Sequence, residues 1–288
     1  MRWEGNEQSS NVEDRRGEGG GGFGIGGGTV GIGTIVIALL GSWFFGVSPG
    51  TILGLLSGGS PAQVRQAPSH PPANDRETKF VTTVLGLTET TWTQIFKENG
   101  AQYTPPTLVL FDDSTPTGGC GTGESAVGPF YCPADRKVYI DLTFFNMMQQ
   151  RFNVGGEFTQ AYVLAHEVGH HVQNLLGISG KVDGMRRRLS ESEANALSVR
   201  VELQADCFAG VWAYHTNEAK QIIEQGDVES ALKAASAIGD DALQRRARGE
   251  VVPDSFTHGT SEQRMRWFSK GLQTGSVQQC NTFDTRQL

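Results

Sequence analysis

His166 and His170 stand four residues apart, with Glu167 directly after the first. On a helix, side chains at this spacing share one face, so both imidazoles can reach a single ion. Glu167 then lies within reach of a water molecule at that ion. Two nitrogen ligands, an open coordination position and an adjacent base are the pattern of a catalytic zinc. His171 points about 100° away from His170, which indicates a surface or supporting residue and not a ligand.

A later segment supplies the third protein ligand that such a site needs. Glu202 and Asp206 are also four residues apart, and their neighbours are apolar or small. Carboxylates without partners are costly in such surroundings, which favours a role in the site over a solvated surface position. We predict that Glu202 binds the metal and that Asp206 accepts a hydrogen bond from a ligand imidazole, supporting it from behind.

His258 is a candidate for a further catalytic role. It lies in a short Thr- and Gly-containing turn before the last predicted helix. A donor at this point could stabilise the negative oxygen that develops during hydrolysis. A surface histidine beside the start of a helix fits the same sequence equally well, and both interpretations stay open.

The four cysteines are Cys120, Cys132, Cys207 and Cys280. Cys120 and Cys132 bracket a Gly-rich loop and could close a small ring, which would leave Cys207 to pair with Cys280. Four cysteines allow three connectivities, and the sequence does not choose among them. Disulfides fit an oxidising compartment, whereas buried free thiols fit a cytosolic domain. No CxxC pair occurs, which argues against zinc binding by cysteine.

These residues must be positioned by helices and strands, and the order of those segments predicts an α+β domain. In it, a small sheet is followed by a mainly helical part. Strands rich in β-branched and aromatic residues precede the helical segments, and no alternating βαβ pattern occurs. The predicted strands are 107–111 and 137–142, and the predicted helices are 80–99, 158–176, 191–214, 228–238 and 261–272.

A long apolar run precedes this domain. No charged residue occurs between Glu18 and Arg65, and residues 30–47 have the length that a helix needs to cross a hydrocarbon core of about 30 Å. We expect a transmembrane anchor at 29–48. A disordered Gly-rich tail at 1–28 precedes it, and a linker at 49–78 leads to the domain at 79–288.

A buried core helix and a cleaved signal peptide are the alternatives for the apolar run. The run has no polar face, which disfavours the first, and it starts too far from residue 1 for the second. Arg15 and Arg16 before the run, against Arg65 after it, favour a cytoplasmic N-terminus and a domain on the far side of the membrane.

Composition limits the classes of partner. Hydrophobic residues make up 38% of the 288 residues and charged residues 19%, which suits a chain with a packed core. The net charge is −7, and no stripe of lysine and arginine occurs. Nucleic acid is therefore not an expected partner.

The histidine and glutamate motifs together resemble those of gluzincin metallopeptidases. More closely, the domain resembles the bacterial family named putative neutral zinc metallopeptidase, whose members carry one N-terminal membrane anchor. The resemblance implies zinc ligation by His166, His170 and Glu202, with Glu167 as the catalytic base. It also implies a zincin-like fold, a location in the bacterial inner membrane and a periplasmic catalytic domain. The segments that carry it are 128–133, 165–171, 202–207 and 253–259.

We therefore predict a membrane-anchored zinc peptidase that acts on a peptide or protein with a zinc-activated water and Glu167 as general base. The strand at 137–142 precedes the histidine helix, and the resemblance implies an edge strand at this point that binds the substrate as an added strand. One alternative is a catalytically silent, membrane-anchored zinc-binding scaffold. A non-peptidase zinc hydrolase is the other, because the motif specifies activation of water and not the bond that is broken.

Overall fold

The computed structural model describes residues 1–17, 72–285 and 287–288 of the chain. These residues form a mostly helical α+β fold with two small sheets. Within them the strands are β1 (Val12–Asp14), β2 (Thr107–Leu110), β3 (Ser114–Pro116), β4 (Thr122–Glu124), β5 (Phe130–Cys132) and β6 (Lys137–Ile140). The helices are α1 (Arg76–Glu98), α2 (Thr143–Phe152), α3 (Glu157–Leu175), α4 (Ile178–Arg186), α5 (Glu191–Lys220), α6 (Asp227–Ala237), α7 (Asp240–Arg248) and α8 (Ser261–Thr274).

The two helices that carry the predicted metal ligands are α3 and α5, and both lie where the sequence predicts them. A capping box begins α5, in which the Ser190 side chain accepts from the Glu193 backbone and the Glu193 side chain accepts from the Ser190 backbone. The helix then runs through the core for 30 residues, six beyond its predicted end. Three helices that the sequence did not predict, α2, α4 and α7, are short.

The larger sheet has the strand order β1-β2-β6-β5. The first three strands are parallel, and β5 runs antiparallel to β6, with Phe130 opposite Tyr139. The predicted edge strand at 137–142 is therefore wrong, because β6 has a neighbour on each side. The edge on that side is β5, which contacts α3, the helix that carries the two histidines. The separate hairpin pairs β3 with β4.

Residues 1–17 belong to the folded domain. The β1 strand extends the sheet by pairing with β2. Trp3 is buried in the main core with its ring 5.3 Å from that of Phe80. The N-terminal ammonium group lies 2.8 Å from a carboxylate oxygen of Glu224. The prediction of a disordered tail at 1–28 is thus wrong for residues 1–17, and the rest of that tail lies outside the described residues.

The predicted start of the domain is also slightly late. Asp75 caps α1 by accepting from the backbone N–H of Thr78, so the folded chain resumes before residue 79. The predicted linker at 49–78 therefore overlaps the first turn of this helix. The remainder of that linker, 49–71, lies outside the described residues.

Among residues 1–17, 72–285 and 287–288, no helix combines the length and apolar character needed to cross a membrane. The predicted fold class and the predicted single-pass inner-membrane localisation both included such a helix, and both are corrected by this finding. The segment assigned to it, 29–48, lies outside the described residues.

Close helix packing places α8 against α5. Gly210 and Gly271 face each other there, and a Cβ atom on Gly271 would overlap the carbonyl oxygen of Cys207. A larger residue at either position would therefore push the helices apart. The contact sets the distance at which side chains of α8 reach the ligand-bearing part of α5.

Two disulfides are present, Cys120–Cys132 and Cys207–Cys280. The first closes the Gly-rich loop before β6, and the second ties the chain after α8 to the middle of α5. Of the three connectivities that the sequence left open, the structure selects this one.

Replacing Trp3 by alanine is expected to destabilise the whole domain. Removal of a buried tryptophan side chain leaves a cavity, so the free energy of unfolding should fall by about 3 kcal/mol. Urea denaturation followed by circular dichroism measures this change. Glu7→Ala, at an exposed position of the same segment, is the control and should change stability by less than about 0.5 kcal/mol. Equal stability of Trp3→Ala and wild type would contradict the packing of residues 1–17 against the core.

Candidate metal centre

His166, His170 and Glu202 form the group among the described residues that could hold a metal ion. One ligand atom from each lies within 4.8 Å of the others. His166 Nε2 is 3.1 Å from Glu202 Oε2, and His170 Nε2 is 3.5 Å from Glu202 Oε1. Helix α3 supplies both imidazoles on one face, and α5 brings the carboxylate across from them.

The donor set fits a zinc ion. Tetrahedral zinc with bonds of about 2.1 Å separates its ligand atoms by about 3.4 Å, close to the distances between the imidazole and carboxylate atoms here. The electrostatics agree with this. Burial lowers the pKa of His166, but Asp206 and Glu202 outweigh that effect and raise it to about 10. A site that holds a proton so strongly attracts a cation, and a metal ion would compete with that proton.

Each imidazole of the candidate site makes a hydrogen bond at its other nitrogen, Nδ1. His166 Nδ1 lies 2.8 Å from Asp206 Oδ1, and His170 Nδ1 lies 2.9 Å from Gln173 Oε1. The Gln173 amide in turn donates to the backbone oxygen of Val201, one residue before Glu202 on α5. These contacts direct both Nε2 atoms toward the candidate metal position.

Asp206 is the centre of a buried charge network. Arg264 of α8 donates to both of its oxygens, with Nε 2.8 Å from Oδ2 and Nη2 2.9 Å from Oδ1. The Tyr162 hydroxyl of α3 also donates to Oδ1, at 2.6 Å. Burial would raise the pKa of Asp206, but Arg264 and His166 lower it to about 2. The carboxylate is therefore ionised and fully partnered.

Glu167 differs from the other charged groups of the site. Its side chain is 8% exposed, and it hydrogen-bonds to no described residue. Burial raises the pKa of Glu167, while His166 and His170 act in the opposite direction. A carboxylate that is desolvated, lines a cleft and has free acceptor capacity suits a general base.

His258 lines the same cleft as the three candidate ligands. Its side chain is 51% exposed, and Nδ1 lies 3.4 Å from Asp240 Oδ1. Asp240 also accepts backbone N–H bonds from Thr257, His258 and Gly259, which fixes the turn. The structure thus brings His258 to the mouth of the site and not to the metal ligands themselves.

His171 is buried and does not face the candidate ligands. Its Nε2 donates to the backbone oxygen of Thr104 at 2.6 Å, and Nδ1 accepts from the Tyr131 hydroxyl at 3.1 Å. Burial lowers the pKa of His171 to about 4, so the ring is neutral. It links α3 to the edge strand β5, which is a supporting position and not a surface one.

Sequence reasoning missed Arg264, Tyr162, Gln173 and Asp240. A signal was present for Arg264, which lies on the apolar face of α8 together with Trp267, Phe268 and Gly271, at helical spacing. An arginine on such a face requires a buried acid as a partner. Nothing in the sequence indicates which acid that is.

These findings define a helical domain with a candidate metal site at the floor of a cleft. The chain matches the family described as "Putative neutral zinc metallopeptidase" over residues 1–283. It therefore belongs to that family, and the resemblance drawn from its motifs is confirmed.

Two relatives show how far the similarity extends. The chain is 49% identical over 288 residues to the uncharacterized protein YpfJ of Escherichia coli strain K12, covering 98% of this chain and 99% of that protein. It is 44% identical over 196 residues to the uncharacterized protein Rv2575 of Mycobacterium tuberculosis, covering 65% of each. No solved structure matches the chain.

Replacing Arg264 by methionine is expected to lower the free energy of unfolding by about 3–5 kcal/mol, because Asp206 keeps a buried charge without a cation. Urea denaturation measures this loss. The exposed Arg266→Met on the same helix removes an i, i+4 pair with Glu262 and a hydrogen bond to the Leu288 backbone oxygen, both at the surface, and should cost about 0.5–1 kcal/mol.

A double-mutant cycle separates the ion pair from packing. Asp206→Asn combined with Arg264→Met should cost less than the sum of the two single changes, since neither charge is then left alone. Simple additivity would show that the two side chains stabilise the fold independently.

Proposed function

We propose that this protein is a zinc-dependent peptidase. The observation that carries the proposal is the position of Glu167: a buried carboxylate without a hydrogen-bond partner among the described residues, next to a three-ligand group and facing a cleft. A structural metal site has no use for a base beside an open position. The family description supports the same activity.

His166, His170 and Glu202 would hold the zinc ion, and Asp206 and Gln173 would keep the two imidazoles oriented. When bound, zinc acts as a Lewis acid that lowers the pKa of water and polarises a carbonyl group. Three protein ligands would leave the site open on the cleft side to water and to the substrate carbonyl group.

Glu167 would act as the general base and then as the general acid. Its carboxylate accepts a proton from the attacking water and later delivers that proton to the nitrogen of the leaving amine. Its raised pKa supports the first role, because a less acidic carboxyl group is a stronger base.

His258 would donate a hydrogen bond to the oxygen that becomes negative during the reaction. Asp240 holds its Nδ1 side and its backbone N–H, which leaves Nε2 available toward the cleft. A donor fixed in advance loses little free energy on reorganisation, which is the condition for effective stabilisation of an oxyanion.

Glu167→Gln is expected to keep the fold and the bound zinc while lowering peptide hydrolysis by about 100-fold or more, because glutamine cannot accept the proton. The measurement is turnover of a peptide mixture by the full-length protein, with zinc content determined on the same sample. Glu218→Gln, at an exposed position of α5, is the matched control and should keep full activity.

The same activity measurements distinguish a peptidase from the two alternatives, a catalytically silent zinc-binding scaffold and a non-peptidase zinc hydrolase. Zinc-loaded wild type that cleaves no peptide would favour a silent scaffold. Cleavage of esters or non-peptide amides alone, lost in Glu167→Gln, would indicate a non-peptidase hydrolase.

Glu202→Ala and Asp206→Ala are expected to affect zinc differently. Loss of Glu202 removes one of three ligands, so most of the zinc should be released on dialysis. Loss of Asp206 leaves all three candidate ligands in place but removes the support of His166 and the buried partner of Arg264. It should therefore destabilise the fold and weaken zinc affinity about 10–100-fold, leaving a loaded site at saturating zinc. Metal analysis after dialysis against graded zinc concentrations distinguishes the two. Equal zinc content in Glu202→Ala and wild type would move the ligand role elsewhere, with Asp206 and His258 next to be tested.

A further inference from the structure

The cleft above the candidate metal centre has a volume of about 790 Å³, within the range of ligand-binding sites. Its floor is formed by α3 and α5, which carry His166, His170 and Glu202. Its walls are formed by the segment before β5 and by α2, α4 and α7, the three short helices that the sequence did not predict.

Each of the three wall helices has one face that lines the cleft, and that face carries one arginine. The arginine is Arg151 on α2, Arg186 on α4 and Arg246 on α7. The other cleft-facing residues of these helices are Phe144, Met147 and Phe152 on α2, Ser179, Val182 and Asp183 on α4, and Leu243 and Ala247 on α7.

The three arginines are exposed and available to a ligand. Neither Arg151 nor Arg246 forms an ion pair with any residue in the described part of the chain. Arg246 stacks on the Phe152 ring, 5.0 Å from its centre, which joins the walls formed by α2 and α7. Arg186 donates to the Ser198 hydroxyl. Asp183 is the one acidic residue that these helices place on the cleft wall.

Arg151, Arg186 and Arg246 together form a cationic rim. This rim contrasts with the chain as a whole, whose net charge is −7. Arginines in the last turn of a helix also stabilise the helix dipole, and that role alone would account for Arg151 and Arg186. It does not account for the position of all three arginines on the same cleft, beside apolar wall residues such as Phe144 and Leu243.

We propose that the cleft selects polypeptide segments in which a bulky apolar residue is flanked by acidic residues. The apolar side chain contacts the aromatic and aliphatic wall residues, and the flanking carboxylates pair with Arg151, Arg186 and Arg246. This inference rests on the proposed peptidase function and specifies its class of substrate. Pairs at an exposed rim act on selectivity and association more than on total affinity.

Three fluorogenic peptides of equal length test the proposal, each with a central leucine–phenylalanine pair flanked by glutamates, glutamines or lysines. Zinc-loaded full-length protein should cleave the glutamate peptide with a kcat/KM about 10-fold above that of the lysine peptide. The preference should shrink in about 1 M salt, where the screening length is about 3 Å.

Arg246→Glu and Arg151→Glu should each reduce the glutamate-to-lysine ratio about five-fold or reverse it. Arg245→Glu is the matched control: it lies on the same helix and makes the same charge change, but its side chain does not line the cleft. The ratio should stay unchanged in that variant, because a general effect of net charge would move all variants equally. Arg246→Gln provides a milder change should the charge reversals disturb α7.

The possible failures are distinguishable. Equal cleavage of all three peptides would overturn the selectivity proposal and leave the peptidase function standing. Cleavage of none would contradict the peptidase function, and fluorescence anisotropy with labelled, uncleaved peptides then tests the cleft alone. Tighter binding of the glutamate peptide, lost in Arg246→Glu and kept in Arg245→Glu, would support the cationic rim, and equal binding of all peptides would overturn it.

Discussion

The buried carboxylate of Asp206 joins α3, α5 and α8 through direct polar contacts at a single point. It lies on α5, accepts two bonds from Arg264 of α8, and contacts His166 and Tyr162 of α3. A buried charge is tolerated only when its partners stand at the right distance, so this one group sets the relative position of all three helices. It also fixes the orientation of a candidate metal ligand.

That interaction requires close packing, which the sequence provides with small residues. Gly210 and Gly271 let α5 and α8 approach until backbone atoms are in contact, and Arg264 then reaches Asp206 from the buried face of α8. Cys207, the residue next to Asp206, forms a disulfide with Cys280. This bond holds the segment that follows α8 against α5. The same region of one helix therefore carries a candidate metal ligand, the charge network and a covalent link.

The walls of the cleft differ from its floor in the length and the burial of their helices. The floor helices α3 and α5 are long and largely buried, whereas the walls consist of short helices with exposed or half-buried faces. Groups that must stay within tenths of an ångström of one another thus lie on the rigid part of the fold. Groups that would meet a variable partner lie on the less constrained part.

Local spacing alone determined which residues the sequence proposes for the site. The i, i+4 pairs His166/His170 and Glu202/Asp206 depend only on helix geometry, so the sequence predicted both helices and the residues that the fold brings together. Long-range contacts decided the rest. The partnership of Arg264 with Asp206 spans 58 residues, the pairing of β1 with β2 places Val12 beside Leu108, and the wall helices are too short for a clear periodic signal. A local pattern can mark a residue as needing a partner, as it does for Arg264 and Asp206, but it does not identify that partner, because only the fold brings distant segments together.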